Sequence, residues 1–379
     1  MAKNDKPAKD KKAKAAGGKK GKGPSLFPWI CLGIDLALVA GLGYLYWQRP
    51  DEWAWLTCVP AWCWLVPGLL LLVPAIGKAT WRPALFTLMA WLAFTGFCVE
   101  ESRSLVRGWL TAARAESTWQ QESQSGRAIR VVSLNCSVCN IEAAREAIAQ
   151  NPDLILLQES PPQAALDTLV KTSFGEAAQM LAGADSSIIV RGKILAITPA
   201  PVTRDFVQAR VRLARSGQEI EVFGLRLKPP MVKIDVWTAA TRREFAEDRR
   251  YRRTSIEALA DRLRSVPESV PVIMGGDFNV PAGEPCLNGL KPRLRDSFDC
   301  AGIGWGNTAI QPIYGHRIDQ IWTSQQIEPI RVTAGASKFS DHRMVICDLT
   351  LKNDRTGHPA PTTEDNAKKS VTTPEKPLN

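Results

Sequence analysis

The chain has 379 residues, 45% of them hydrophobic and 23% charged, which is enough for one large domain with additional segments. Its net charge of +10 is concentrated at one end, because nine lysines and two aspartates within the first 22 residues contribute +7. The rest of the chain is close to neutral, so the overall charge does not by itself indicate a nucleic-acid-binding protein.

Two terminal segments have the composition of disordered chain. Residues 1–25 are rich in Lys, Gly and Ala, and residues 353–379 are dominated by Pro, Thr and Lys. Neither segment can bury enough apolar surface to offset the entropy lost on folding, so we predict a disordered basic tail at one end and a disordered tail at the other. The lysines are also compatible with contact to anionic lipid headgroups.

Three apolar stretches predict a membrane region at residues 26–99. They occupy residues 26–47, 53–77 and 83–99. A helix of about 20 residues crosses a bilayer core, so the first two stretches are long enough and the third is marginal. We predict three transmembrane helices, with the lysine-rich tail in the cytoplasm and everything after Glu100 outside it, as a multi-pass protein. If the third stretch does not cross, the following domain lies in the cytoplasm instead.

Residues 100–127 are polar and predict a helical or flexible linker. Between residues 128 and 352, strands and helices alternate. The predicted strands cover residues 129–134, 153–158, 187–190, 194–198, 207–213, 219–227, 270–274, 318–322, 330–332 and 344–351. The predicted helices cover residues 141–150, 162–172 and 238–263. Few long helical crossovers are present, which favours an α/β sandwich over a doubly wound parallel sheet.

Acids and amides stand at the ends of the apolar strands, where they are costly in a core but suited to a cleft. These residues, together with one histidine, are Asn135, Glu159, Asp277, Asn279, Asp319, Asp341 and His342. If they meet at one edge of a sandwich, their oxygens could bind a hard cation such as Mg²⁺. Such a cation polarises a phosphate ester while a base activates water, so the pattern indicates a metal-dependent phosphoesterase.

Taken singly, these residues have ordinary structural explanations. The Asp-x-Asn pattern at residues 277–279 is common in turns, Glu159 could offset the dipole at a helix N-terminus, and His342 could be a core histidine. Asp319 is harder to explain, because an unpaired carboxylate in an apolar strand is costly. The arginine-rich stretch at residues 242–253 could steer an anionic substrate, but is more simply the solvated face of a helix.

Five motifs, in chain order, resemble those of the endonuclease/exonuclease/phosphatase superfamily. They are Leu134-Asn135, Gln158-Glu159, Gly276-Asp277-Phe278-Asn279, Arg317-Ile318-Asp319 and Ser340-Asp341-His342. The superfamily includes pancreatic-type deoxyribonucleases, abasic-site endonucleases, inositol polyphosphate 5-phosphatases and neutral sphingomyelinases. The resemblance covers residues 128–352 and implies a four-layered α/β sandwich, in which two packed β-sheets are flanked by helices.

The resemblance also implies which residues bind the metal and the substrate. Glu159 would be the principal ligand of Mg²⁺ or Mn²⁺, with Asn135 beside it and Asp341 in the same set. Arg226 and Arg317 are predicted to contact the substrate.

The remaining motif residues would perform the chemistry. Asp277 would orient or deprotonate the attacking water, and Asn279 would hold a phosphate oxygen. His342 would contact the phosphate and stabilise the transition state, with its ring oriented by Asp319.

One position departs from the family pattern. Many members carry a histidine at the end of a central strand, where this chain has Arg226. Arginine suits phosphate binding but cannot donate a proton as a histidinium does. Either Arg226 replaces the phosphate contact, or the chain is a catalytically silent binding or scaffold protein on the same fold.

We therefore predict a membrane-anchored hydrolase of a phosphodiester or phosphomonoester. The membrane anchor favours a lipid or small-molecule substrate, whereas the superfamily also includes enzymes that act on nucleic acid. The sequence identifies no protein partner. The Cys136-x-x-Cys139 pair resembles half of a zinc or redox site, but no second pair or histidine cluster completes it.

Overall fold

The computed structural model describes residues 25–199, 205–229, 233, 235–309 and 315–352. The two predicted tails, apart from Ser25, lie outside the described residues. By its internal contacts the chain divides into two compact units. Among the described residues, the first comprises residues 25–43 and 64–94, and the second comprises residues 44–63 and those from 95 to 352.

Helices build the apolar part of the chain. They are α1 (Phe27–Gln48), α2 (Ala54–Thr57), α3 (Leu65–Leu72) and α4 (Trp81–Cys98). Within the first unit, Cys31 and Leu32 of α1 pack with Leu72 and Ala84. This packing buries only part of the apolar surface of these helices. Large apolar side chains, among them Leu70, stay exposed along them.

Among the described residues, α1 is the one helix that is long and apolar enough to cross a membrane unbroken. The other candidates are bent pairs, residues 51–57 with 61–75 at 71° and residues 81–98 with 100–124 at 81°, and they raise the number to three if each pair is one span. The predicted second span is therefore not a continuous helix. Pro60 lies at its break, where it lacks an N–H and disfavours helical geometry in the preceding residue.

Eleven strands of the second unit form one curled sheet. They are β1 (Ala128–Asn135), β2 (Leu154–Gln158), β3 (Ala178–Ala182), β4 (Ser186–Thr198), β5 (Phe206–Leu213), β6 (Glu219–Arg226), β7 (Val272–Asp277), β8 (Leu294–Asp296), β9 (Asp319–Ser324), β10 (Ile327–Ala336) and β11 (Arg343–Leu351). Their order is β10-β11-β1-β2-β4-β5-β6-β7-β9-β8, with β3 also paired to β4.

The long strand β4 joins the two halves of this sheet. Its first residues pair with β2 and its last residues pair with β5. At the junction Gly192 has φ of +148°, and a Cβ atom there would lie 2.0 Å from the carbonyl oxygen of Arg212. Glycine is required because an L side chain can neither adopt this backbone nor fit beside the neighbouring strand. The sequence predicted two separate strands here.

The two halves pack face to face around a common core. Alternation along each strand sends Leu154 and Leu156 of β2 into this core, where they meet Val222 and Ile273 from the other half. Burying each such side chain contributes about 1.5–3 kcal/mol. The outward-facing side chains are covered by helices α6 (Ile141–Ile148) and α7 (Gln163–Phe174) on one side and α8 (Ala239–Arg264) on the other. The predicted four-layered sandwich is confirmed.

The second unit extends beyond the predicted residues 128–352. Helix α5 (Glu100–Gln124), the predicted linker, packs on the sandwich, and Arg107 donates to the carbonyl oxygens of Phe298 and Gly302 at 3.0 and 2.9 Å. The segment Tyr44–Cys63 also belongs to this unit, through an Arg49–Glu284 ion pair of 2.7 Å. The domain boundaries that the sequence predicts at residues 99 and 128 stay a prediction. A short helix α9 (Ser297–Ala301), together with strands β3 and β8, was not predicted, because such short elements show little periodicity.

Candidate active site

Strand pairing brings the predicted residues to one edge of the sandwich. The parallel pair β6–β7 sets Arg226 beside Asp277, and the antiparallel pair β7–β9 sets Asp277 beside Asp319. Asn135 ends β1, and β11 starts directly after His342 and runs antiparallel to β1, so both belong to this edge. The edge combines residues from both halves of the sheet.

Asn135 connects the two halves. Its Nδ2 donates to Oδ2 of Asp277 at 3.1 Å and lies 3.3 Å from Oε1 of Glu159. Asn279 holds the other side of Asp277, with its backbone N–H 2.9 Å from Oδ1 and its side-chain Nδ2 3.1 Å from Oδ2. The same Nδ2 donates to the carbonyl oxygen of Leu227 at 2.7 Å. These donors fix the orientation of a carboxylate that is 1% exposed.

The environment of Asp277 suits a proton acceptor. Burial and the neighbouring charge of Asp319 raise the pKa of Asp277 to about 7, while the charge of His342 and the hydrogen bonds from Asn279 and Asn135 act in the opposite direction. A general base works best when its pKa is close to the working pH. Asp277 can therefore exchange a proton near neutrality.

His342 and Asp319 form the second element of the site. Nδ1 of His342 lies 2.8 Å from Oδ2 of Asp319, and the backbone N–H of Asp319 donates to Oγ1 of Thr308 at 3.0 Å. Burial lowers the pKa of His342, but the charge and hydrogen bond of Asp319, with the charges of Asp277 and Asp341, raise it to about 9. At neutral pH the ring is thus a cation. Its Nε2 is the nitrogen that can contact a phosphate oxygen.

Glu159 is held by a cation and by a backbone N–H. Oε1 accepts from Nη2 of Arg226 at 2.8 Å, and Oε2 accepts from the N–H of Val138 at 2.6 Å. Arg226 also donates to Oδ2 of Asp185 at 2.5 Å. Glu159 itself has φ of +44°, and Val138 has φ of +57°. Non-glycine residues seldom adopt this left-handed backbone, and such strain is often found at functional sites.

The donor set fits a divalent cation. Ligand atoms of Asp277, Asp319 and His342 all lie within 4.8 Å of one another, but the protonated His342 has no lone pair to offer at neutral pH, so the two carboxylates are the available ligands of this group. Oδ1 of Asp319 is buried and accepts no hydrogen bond from any residue in the described part of the chain. Two cations of this edge, Arg226 and the protonated His342, face five carboxylates, those of Glu159, Asp185, Asp277, Asp319 and Asp341. The excess negative charge and the oxygen donors suit Mg²⁺ or Mn²⁺.

The predicted site residues differ in how closely they meet. Asn135, Glu159, Asp277, Asn279, Asp319 and His342 are linked by hydrogen bonds or by strand pairing. Asp341 is half-buried and accepts from Oγ of Ser137 at 2.7 Å, so it joins the edge through the loop that follows β1. Glu159 and Asp341 lie outside the closest group of potential ligands, although the resemblance implied them as metal ligands.

The structure does not bring Arg317 into the site. Its guanidinium is buried, with Nη2 2.6 Å from Oδ2 of Asp296 and Nε 2.8 Å from Oε1 of Glu100, and it lies over the ring of Phe298. The predicted substrate contact is corrected, because two carboxylates already engage this cation. A buried guanidinium needs such partners to offset its desolvation.

Other residues of the site were not predicted. Asp185 directly precedes β4 at the same edge and pairs with Arg226. The sequence did offer a signal for Asp185, because it is an acidic residue beside the end of a strand. The loop at residues 137–139, in which all three residues have positive φ, supplies the N–H for Glu159. No sequence pattern indicated this backbone conformation, since serine, valine and cysteine seldom adopt it.

Two other sequence patterns have structural explanations. Cys136 is buried, Cys139 is exposed, and both are free thiols, with burial raising the pKa of Cys136. On α8, Arg249 donates to Oγ1 of Thr57 at 2.6 Å and Arg253 pairs with Asp51 at 2.8 Å. Both arginines of the predicted cluster therefore bind the 44–63 segment of the chain. Arg249 is buried in this contact, whereas the side chain of Arg253 stays 43% exposed.

The family model described as Endonuclease/Exonuclease/phosphatase family matches residues 132–342, more than half of the chain. A search of curated protein sequences finds no match. Similar solved structures include an endonuclease/exonuclease/phosphatase from Beutenbergia cavernae, with 16% identity, coverage of 59% of this chain and 72% of that chain, and a TM-score of 0.46.

Two others are D. rerio TDP2 complexed with a single-strand DNA product and the mannosyl-6-phosphatase Bt3783 of Bacteroides thetaiotaomicron. The first has 18% identity, covers 59% of this chain and 99% of that chain, and has a TM-score of 0.44. The second has 17% identity, covers 59% and 100%, and has a TM-score of 0.42. From the match of the family model, this chain belongs to the endonuclease/exonuclease/phosphatase family, whose fold supports metal-dependent hydrolysis of phosphoesters in general.

Proposed function

We propose that this protein is a membrane-anchored phosphoesterase that hydrolyses a phosphodiester or phosphomonoester with Mg²⁺ or Mn²⁺. The observation that carries the proposal is the pairing of Asp277 with Asp319 on adjacent strands, with His342 bonded to Asp319 at 2.8 Å. A proton acceptor, a cation and an orienting carboxylate thereby lie together at one edge. This is the set that phosphoryl transfer to water requires.

The residues divide the reaction between them. Asp277 accepts a proton from the attacking water, whose oxygen forms a bond to phosphorus as the bond to the leaving oxygen breaks. His342 and Arg226 offset the charge that develops on the phosphate oxygens. A divalent cation would be held by carboxylate oxygens of this edge, among them Glu159, and would supply further polarisation of the phosphate. Asn279 keeps Asp277 oriented throughout, because it donates to both carboxylate oxygens.

Hydrolysis of bis-p-nitrophenyl phosphate by the purified full chain tests this proposal. We expect metal-dependent release of p-nitrophenol that falls at least about 100-fold in Asp277→Asn, since one general base contributes roughly 10²–10⁴-fold. Asp261→Asn is the matched control, because Asp261 has a side chain 68% exposed on α8. If wild type shows no metal-dependent hydrolysis and Asp277→Asn equals it, the silent binding or scaffold protein is the better description. If wild type is active and Asp277→Asn is equally active, Asp277 is not the base.

The same proposal includes a multi-pass topology. In it the second unit, which carries the candidate active site and is called the catalytic unit from here on, lies outside the cytoplasm. Two ion pairs support this topology, because they bind the connector that directly follows α1 to the rest of the catalytic unit. In the connector, Arg49 pairs with Glu284 at 2.7 Å and Asp51 pairs with Arg253 at 2.8 Å. Connector and catalytic unit must then lie on one side of the membrane. If α1 crosses from a cytoplasmic lysine-rich tail, that side is the outer one, and residues 64–94 cross an even number of times.

Reporter fusions test this topology. Alkaline phosphatase, which is active only outside the cytoplasm, is fused after Lys352, and green fluorescent protein is fused before Met1. We expect activity from the first fusion and fluorescence from the second. Inactive phosphatase after Lys352, with fluorescence retained in a fusion at the same position, would place the catalytic unit in the cytoplasm and refute the topology.

A further inference from the structure

We infer that the outward face of α5 is a lipid-binding surface, where the first half of the helix lies in the headgroup region of an anionic bilayer. This inference rests on the membrane anchor proposed above. It adds a second contact with the bilayer, made by residues of the catalytic unit that are not part of the candidate active site. The supporting observations are the packing of the opposite face of α5, the side chains on its outward face, and its place in the chain.

One face of α5 is fixed to the sandwich. Oγ of Ser104 donates to the carbonyl oxygen of Gly304 at 2.8 Å, and one turn later a Cβ atom on Gly108 would lie 3.2 Å from the backbone nitrogen of Gly304. Ala115, two turns beyond Gly108, is also buried. Residues spaced by three or four positions share a face of a helix, so these small side chains let α5 lie close against the loop at residues 302–304.

The opposite face of α5 exposes a cluster of large apolar side chains. Its members are Leu105, Val106, Trp109 and Leu110, of which Trp109 is 86% exposed. A contiguous apolar patch on a surface marks a site that binds a protein or a membrane. Beyond Leu110 the outward positions are small or polar, among them the exposed Ser117 and Gln120. The apolar exposure is therefore confined to the first half of the helix.

The place of this cluster in the chain favours a bilayer over a protein partner. In the proposed topology the chain leaves the bilayer near Cys98, where α4 ends, and α5 begins at Glu100. Two linking residues and a rise of 1.5 Å per helical residue allow at most about 20 Å between Cys98 and Trp109. Chain length alone therefore keeps the apolar cluster near the headgroup region, and the polar outward positions begin farther along the chain. Tryptophan is also enriched at membrane interfaces.

The charges beside the cluster fit anionic lipid headgroups. Arg114 is one turn after Leu110 and Arg103 two turns before it, so both share its side of the helix, and both are exposed. Arg103 has only a distant partner, because its Nη2 lies 3.7 Å from Oδ1 of the exposed Asp299. The two acidic residues that begin α5 both bind residues of the sandwich. A helix with tryptophan and leucine on one side and arginine beside them binds in the plane of an anionic interface.

Photo-crosslinking in vesicles tests this surface. The full chain is prepared as Trp109→p-benzoylphenylalanine, and the same residue is placed at Ile34 on α1 and at Ile197 on β4 in two further variants, because both side chains are exposed. Each variant is reconstituted in vesicles of phosphatidylcholine and phosphatidylglycerol and irradiated, and lipid adducts are measured by mass spectrometry. We expect the adduct yield at position 109 to be at least about fivefold above that at position 197.

The other outcomes separate this surface from the membrane anchor. A yield at position 109 no higher than at position 197, with lipid adducts at position 34, would overturn the lipid-binding surface and leave the anchor intact. A crosslink from position 109 to a second copy of the chain in place of lipid would also overturn it, and would identify the cluster as a protein interface. Absence of lipid adducts at both positions 34 and 109 would refute the membrane anchor itself.

A charge variant tests the preference for anionic headgroups. In Arg103→Gln with Arg114→Gln, made in the chain that carries the photoreactive residue at position 109, we expect the ratio of phosphatidylglycerol to phosphatidylcholine adducts to fall at least about threefold. The matched control is Arg212→Gln with Arg264→Gln, because both side chains are at least half exposed and each pairs with a carboxylate. An unchanged ratio in the first double variant, or an equal fall in the control, would contradict a specific contact between α5 and anionic lipid.

Discussion

Replacing Asp319 by Asn should move the whole pH profile of hydrolysis toward acid. The charge and hydrogen bond of Asp319 are the largest causes that raise the pKa of His342 from its ordinary 6.5 to about 9. The same charge helps to raise the pKa of Asp277 to about 7. Removing it therefore makes His342 lose its proton, and Asp277 lose its own, at lower pH.

The expected loss depends strongly on pH. If the pKa of His342 returns to its ordinary value in Asp319→Asn, the protonated fraction at about pH 8 falls from about 90% to about 3%, a loss of about 30-fold. At about pH 6 the same change costs less than about twofold, because the ring is mostly protonated in both proteins. Any loss of ring orientation adds a factor that is the same at both pH values.

The assay is kcat/KM for bis-p-nitrophenyl phosphate between about pH 6 and pH 10, for wild type, Asp319→Asn and the exposed-site control Asp261→Asn. Wild type should lose activity as the pH rises through about 9, and Asp319→Asn should lose it below about pH 8. A loss in Asp319→Asn of equal size at about pH 6 and pH 8 would refute the assignment of His342 as the titrating cation.

The same pair predicts how stability depends on pH. The folded-state pKa of His342 lies above its unfolded value, so the stabilisation is fully present below about pH 6.5 and is lost as the pH rises through about 9. A difference of about 2.5 units corresponds to at most about 3 kcal/mol. The free energies of unfolding of wild type and Asp319→Asn, measured with urea, should therefore converge at high pH. A difference between them that is the same at every pH would contradict this linkage.

Three further substitutions test other contacts. Arg226→Gln should tighten Mn²⁺ binding several-fold, measured by electron paramagnetic resonance, because it removes the cation 2.8 Å from Glu159; weaker binding would contradict competition. Arg317→Met should destabilise the fold by about 3–5 kcal/mol in urea unfolding, because Asp296 then keeps a desolvated charge while Glu100 takes up a proton. Asp296→Asn in the same chain should recover part of this loss, and no recovery would refute that reason. Gly276→Ala should cost at least about 2 kcal/mol, since Gly276 has φ of +143° and lies against the preceding strand; a loss under about 0.5 kcal/mol would contradict this strain.

The sequence by itself determined the sandwich and most of the side chains that meet at the strand-end edge, although it missed Asp185. Strand periodicity placed nearly all the strands, because alternating apolar residues report which face of a strand is buried. Polar residues at strand ends, such as Glu159, Asp277 and His342, stood out because a core does not tolerate them unpaired. These signals are local, and each can be read within a few residues of the chain.

Only the tertiary structure decided which partners these residues have. Arg317 sits in a family motif, yet Glu100, which is 217 residues away in sequence, neutralises it in the interior. Residues 44–63, within a stretch that composition assigned to the membrane, are held by Arg249 and Glu284 on the catalytic unit. Such pairings depend on which surfaces meet after the chain has folded, and local composition carries no information about charges supplied from a distant segment.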